Sequence, residues 1–103
     1  MFAKVVVDVK SSNVDIMYTY RIPEEYRDYV NIGSRVLVSF GVREILGYVI
    51  AMEEDANYTG AIKDIIDVLD YSKELTLEQV ELAQKISADT KTLMVSALDL
   101  MYP

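Results

Sequence analysis

The sequence predicts a mainly β fold with C-terminal helices: a small, partly open, β-barrel-like sheet followed by two short α-helices. Three observations carry that expectation. Apolar and polar side chains alternate with a two-residue period through the first half of the chain. A Gly-opened connection joins the two strongest runs, and a helix-start signature with helical apolar spacing occupies the C-terminal end.

The central pair of runs organises the rest. In Gly33-Ser34-Arg35-Val36-Leu37-Val38-Ser39-Phe40-Gly41, residues Val36, Val38 and Phe40 alternate with Arg35, Leu37 and Ser39, as in a strand with one face more apolar than the other. From 45 to 52 both alternating sets are apolar except at Gly47 and Ala51, the pattern of a central strand covered on both sides. Gly41 opens the connection between them and tolerates the positive φ of a hairpin turn. Gly47 removes a side chain mid-strand, which suits a bend where a small sheet curls toward a barrel.

Before the hairpin, residues 2–9 alternate as a first strand, with Ala3, Val5, Val7 and Val9 opposite Lys4 and Asp8. Lys10-Ser11-Ser12-Asn13 breaks it, because Ser and Asn side chains compete for backbone hydrogen bonds. In the next strand Ile16, Tyr18, Tyr20 and Ile22 share a face, with Met17, Thr19 and Arg21 on the other, until Pro23 ends it. Glu24 to Tyr26 reads as one helical turn. After the hairpin, the acidic stretch 53–60 reads as a solvated loop closed by Gly60. Residues 61–70 fit a helix through Ile62, Ile65, Ile66 and Leu69, and fit a strand less cleanly.

Thr76-Leu77-Glu78-Gln79 is a capping-box signature and starts a helix whose apolar positions are Val80, Leu82, Ala83 and Ile86. Asp89 is the expected cap of a second helix with Leu93, Met94, Ala97, Leu98 and Met101 on its face, stopping at Pro103. The expected organisation is a single domain over 1–103, β-rich over 1–70 and helical over 76–102, cut from a longer chain.

Composition narrows the function. Without cysteine or histidine there is no disulfide, no thiolate or imidazole ligand and no Cys- or His-based catalysis. No phosphate-loop motif is present, so the sequence itself is read as non-enzymatic. No apolar run approaches the ~20 residues of a membrane span and no signal peptide is apparent, so a cytoplasmic location away from membranes is expected. A net charge of −7 argues against non-specific duplex coating, which rests on basic side chains displacing many counterions. Local recognition by a few basic groups remains open.

Several elements, in order and spacing, carry a resemblance: Ala3-Lys4-Val5-Val6-Val7-Asp8, Tyr18-Thr19-Tyr20 with Ile22-Pro23-Glu24, the 33–41 run, Gly47-Tyr48-Val49, Lys63 with Val68-Leu69-Asp70, and Ser96-Ala97-Leu98 with Met101-Tyr102-Pro103. Together they resemble the N-terminal domain of the bacterial primosomal protein N′ (PriA) family of replication-restart helicases. The resemblance spans the chain. It implies a strand at 61–70, making the sheet five-stranded. It also implies a DNA-binding domain that recognises the 3′-hydroxyl end of the nascent leading strand at stalled forks. ATP with magnesium and a structural zinc would then belong to other parts of an ATP-dependent 3′–5′ helicase, this domain needing no cofactor; the partners would be DNA, the helicase core and other primosome proteins.

The resemblance further implies that Tyr18, Thr19, Gly41 and Lys63 hold the terminal nucleotide. Thr19 stands where the family often has Asp, and Ser39 where Pro is frequent. The chemistry is consistent: an aromatic ring stacks a base, a hydroxyl donates and accepts, a glycine leaves room for the sugar, and an ammonium meets an acceptor or phosphate. Arg35 and Arg43 are candidates for adjoining phosphates. Each residue has a plainer reading: Tyr18 and Tyr20 as core, Gly41 as a turn former, Lys63, Arg35 and Arg43 as surface charges. The rival function is an acidic protein-docking domain using the apolar last helix.

Overall fold

Valine-rich alternation at the N-terminus yields β1 (Phe2–Val7), which lies between β2 (Ile16–Arg21) and β4 (Arg43–Glu53); β3 (Arg35–Phe40) and β5 (Asp67–Leu69) complete a five-stranded sheet. The strand order is β2-β1-β4-β3-β5, and each ladder is antiparallel. Helices α1 (Leu77–Thr90) and α2 (Met94–Met101) follow. The computed structural model describes residues 1–9, 13–54, 61–69, 75–90 and 93–102. The expected breaks at 10–12 and 55–60, and the stop at Pro103, fall outside the described residues.

Two devices curl the sheet. Lys4 pairs with Ala51 while Val5 pairs with Val49, so Ile50 is an extra residue that bends β4 against β1. At Gly47 the strands approach so closely that a Cβ would lie 2.6 Å from Val5 Cγ1 and 2.7 Å from the Val6 carbonyl oxygen. The curl brings the sheet's two edges together. The Arg21 amide donates to the Lys63 carbonyl and the Ile65 amide to the Arg21 carbonyl, both at 2.9 Å, forming a parallel bridge between Arg21 and Asp64. The edges touch without forming a ladder, so the barrel is partly open along this seam.

Burial divides into two layers. Ala3, Val5, Val7, Tyr20, Ile22, Val36, Val38, Val49, Ile65 and Val68 fill the barrel interior. On the opposite face of the sheet Val6 and Tyr48 pack against Leu75, Val80, Ala83, Met94, Val95, Ala97 and Leu98 of the helical layer. This explains why β4 is apolar on both faces: Val49 serves one layer and Tyr48 the other.

Several expectations need correction. The hairpin is tighter than anticipated, since β4 starts at Arg43 and Gly41-Val42 alone connect the strands. Residues 61–69 form no helix, and the strand the resemblance implies is regular only at Asp67–Leu69; Ile65 and Val68 turn into the barrel while the Ile66 amide bonds the Leu37 carbonyl. The capping box forms as read, with reciprocal bonds between Thr76 and Gln79 at 2.9 and 3.1 Å. Asp89, however, is not the cap of α2: it lies within α1, exposed in the last turn. The cap of α2 comes from Asp15, which precedes β2 and whose carboxylate accepts from the Met94 and Val95 amides at 2.8 and 3.2 Å. Leu82 is half-exposed rather than core.

Candidate nucleic-acid interface

The open side of the seam holds a cavity of about 420 Å³, lined by Tyr18, Thr19, Tyr20, Ser39, Phe40, Gly41, Ala61 and Lys63. Three chain segments meet there. The middle of β2 brings Tyr18, Thr19 and Tyr20, the hairpin end of β3 brings Ser39, Phe40 and Gly41, and the stretch before the Arg21 bridge brings Ala61 and Lys63. Curling of the sheet is what makes positions so distant in sequence neighbours.

Tyr18 and Tyr20 point to the same side of β2, yet their environments differ. Tyr20 is 4% exposed and Tyr18 51% exposed. The Tyr20 hydroxyl donates to the Ser39 carbonyl at 2.7 Å, pinning β2 to the end of β3. Burial, with a smaller contribution from the neighbouring Tyr18 phenol, raises the Tyr20 pKa above its ordinary value, so the ring stays neutral and keeps donating. Tyr18 instead leans on Phe40, the ring centroids 5.7 Å apart and the planes tilted by 59°. This contact braces an aromatic ring that remains half open to solvent.

Gly41 occupies the first connecting position with φ 63°, and a Cβ there would meet no heavy atom within 4 Å. Its conformation fits a tight hairpin turn, and its missing side chain keeps the cavity mouth open. Lys63 is exposed, but its backbone is fixed through the carbonyl that accepts from Arg21. Among the described lining residues Lys63 carries the charge, so the cavity is a neutral, aromatic-walled recess with one cation at its edge.

The two arginines do not line it. Arg43 is exposed at the base of the hairpin, paired across from Phe40. Arg35 lies toward the helical layer, its guanidinium 4.9 Å from the Tyr102 ring centroid and its Nε buried without a hydrogen-bond partner. Beside it, the Tyr48 hydroxyl donates to Asp99 Oδ1 at 2.7 Å. Arg35 is therefore engaged in joining sheet to helices, away from the cavity, which corrects its reading as a neighbour of the terminal-nucleotide residues.

A family model described as the 3′ DNA-binding domain (3′BD) of PriA matches residues 4–103. The chain belongs to the PriA 3′ DNA-binding domain family. The replication restart protein PriA of Bacillus subtilis (strain 168) is 37% identical over 103 residues, a match covering 99% of this chain and 13% of that relative. Family membership fits the partly open five-stranded sheet with two C-terminal helices.

Sequence reading missed four lining residues: Tyr20, Ser39, Phe40 and Ala61. Phe40 shares its alternation with Val36 and Val38 and so reads as core; only its place beside Gly41 hints at a rim position. Ala61 carries no signal, being brought in by the chain path that leads to the Arg21 bridge.

Proposed function

We propose that this domain captures the 3′-hydroxyl terminus of a DNA strand in the seam cavity. The convergence of Tyr18, Thr19, Gly41 and Lys63 on one recess carries the reading. The terminal base stacks on Tyr18, a contact worth roughly 1–3 kcal/mol per base. The Thr19 hydroxyl, able to donate and accept, meets the base edge. Gly41 leaves space for the sugar and its free hydroxyl, and Lys63 faces a base acceptor or a phosphate. A 3′-phosphate needs more room and brings further negative charge to a domain already at −7, so the free end is favoured.

In the cell the domain would orient a longer, ATP-dependent 3′–5′ replication-restart helicase on the nascent leading strand of a stalled fork, in the cytoplasm. ATP, magnesium and any structural zinc would be handled elsewhere in that protein, and the helicase core and other primosome proteins would be its protein partners. A second reading, docking of a protein on the acidic surface, draws on Leu100, 88% exposed on α2, and half-exposed Leu82 on α1.

A dinucleotide with a free 3′-hydroxyl, titrated against its 3′-phosphate form and followed by amide chemical shifts, separates the two. Shifts confined to Tyr18, Gly41 and Lys63 and selective for the free end are expected. Equal response to both forms rejects end recognition, and silence from both favours protein docking. Lys63→Ala should weaken the dinucleotide without moving the thermal midpoint, because an exposed lysine contributes little to folding. A large loss of stability would make Lys63 structural instead.

A further inference from the structure

Beyond the Arg21 bridge lies a second cavity of about 360 Å³, whose lining includes Phe2, Arg21, Ile22, Pro23, Glu24 and Arg27. We propose that it is a phosphodiester site, where Arg21 and Arg27 hold backbone phosphates of the strand whose terminus sits in the seam cavity. The inference rests on that end-binding reading.

Charge is the first argument. The chain has 17 acidic and 10 basic residues, yet two guanidiniums against one carboxylate face this recess. With Asp64 beside Arg21 the local balance is even, so within an acidic domain this recess repels phosphate less than the remaining surface does. Guanidinium is also the side chain best shaped for phosphate oxygens, since its planar fork can donate twice.

Availability is the second. Arg21 meets Asp64 at 3.6 Å with both side chains 55% exposed, a loose pair that a phosphate can displace. Arg27 is exposed and has no ion pair among the described residues. Glu24 is the one opposing charge in the lining, and it is exposed, free to turn toward water.

Continuity is the third. Tyr18 and Arg21 stand three positions apart on β2, about 10 Å at strand rise, on opposite faces of an edge strand, so a nucleic-acid strand reaching both wraps around that edge. At a stacked spacing of about 3.4 Å that distance corresponds to about three nucleotides. Arg21 is also the residue whose backbone bonds Lys63 and Ile65, so it forms the divide between the two cavities. A strand leaving the first cavity around this edge crosses Arg21 and reaches Arg27, with Pro23 and Phe2 offering apolar surface to its sugars.

The test compares a dinucleotide and a hexanucleotide, both with free 3′-hydroxyls, binding to the 103-residue chain across a salt series. Each phosphate contact on a single strand steepens the slope of log K against log salt by about 0.7. The hexanucleotide should therefore bind more tightly, with a slope steeper by about 1.4 for two contacts. The R21A/R27A double variant should return it to the dinucleotide's affinity and slope while leaving dinucleotide binding unchanged. Dinucleotide binding thereby reports that the variant is folded, and R27K should retain part of the gain. Equal affinities and slopes for the two oligonucleotides, or equal losses for both in the double variant, would overturn the proposal. If a 3′-phosphate hexanucleotide binds as well as the free-ended one with the arginine dependence intact, end recognition fails and the phosphodiester site stands. End selectivity without arginine dependence rejects this site alone, and no binding by any oligonucleotide rejects both.

Discussion

Tyr18 and Tyr20 are indistinguishable in the sequence, two residues apart in one alternating set, and the fold gives them different work. Tyr20 is sealed by its bond to Ser39, whereas Tyr18 stands at the open seam. Tyr18→Ala should reduce dinucleotide affinity about 10- to 100-fold, the value of one lost stacking contact, with little change in thermal midpoint. Tyr20→Ala should instead cost about 3 kcal/mol or more in urea unfolding, as a truncated core aromatic does. The glycines divide similarly. At Gly41 an alanine meets open space and bears only backbone strain of about 1–2 kcal/mol, so the Gly41→Ala variant should fold. At Gly33, with φ 96°, a Cβ would sit 2.0 Å from the Leu75 carbonyl oxygen, a main-chain atom that also lies next to the bond from the Leu75 amide to the Gly33 carbonyl. Thermal scans should find the Gly33→Ala variant far less stable than Gly41→Ala. Gly41 is legible in sequence because it divides two alternating runs; the demand on Gly33 is not, because Leu75 reaches it only through the tertiary fold.

Elements governed by local chemistry are the ones a reader of the sequence recovers. The hairpin follows from alternation and Gly41, and the start of α1 from the Thr76–Gln79 reciprocity. What escapes are elements completed by distant partners. β5 is short because residues 63–66 spend backbone bonds on Arg21 and Leu37 and only Ile65 turns its side chain into the barrel interior, so neither period is clean. The start of α2 escapes for the same reason: its first amides are satisfied by Asp15, from the other end of the chain, while Asp89, the sequence-adjacent choice, is absorbed into α1. Asp15→Ala should therefore destabilise the domain by about 1–2 kcal/mol in urea unfolding, the range for removing a helix cap. Asp89→Ala should stay within about 0.5 kcal/mol of the parent. Asp15→Asn, which keeps an acceptor and drops the charge, should fall between. If Asp89→Ala were the costlier change, the tie between β2 and α2 through Asp15 would be wrong.

At the scale of the whole molecule, one curled sheet serves two layers, each containing a buried tyrosine hydroxyl with an oxygen partner. Inside the barrel Tyr20 donates to the Ser39 carbonyl, and between sheet and helices Tyr48 donates to Asp99. Burial raises both pKa values; at Tyr48 the Asp99 carboxylate adds to the rise, and Arg35 opposes it with a smaller effect. The sign of the consequence follows from proton linkage. Below pH 10 both tyrosines are protonated in folded and unfolded chains alike, and their contribution is fully present. Above pH 10 the unfolded chain releases these protons while the folded domain holds them, so stability falls as pH rises, by up to about 1.4 kcal/mol per pH unit for each group. Urea midpoints measured from pH 9 to 11 should be flat at first and then decline. Tyr48→Phe removes one of the two groups, so it should begin from a lower midpoint but decline less steeply. Because Tyr48 binds the helical layer and Tyr20 the barrel, a cooperative domain must lose both layers in one transition. Separate transitions for the two, or a Tyr48→Phe slope unchanged from the parent, would mean that these hydroxyls do not link sheet, barrel and helices into a single folding unit.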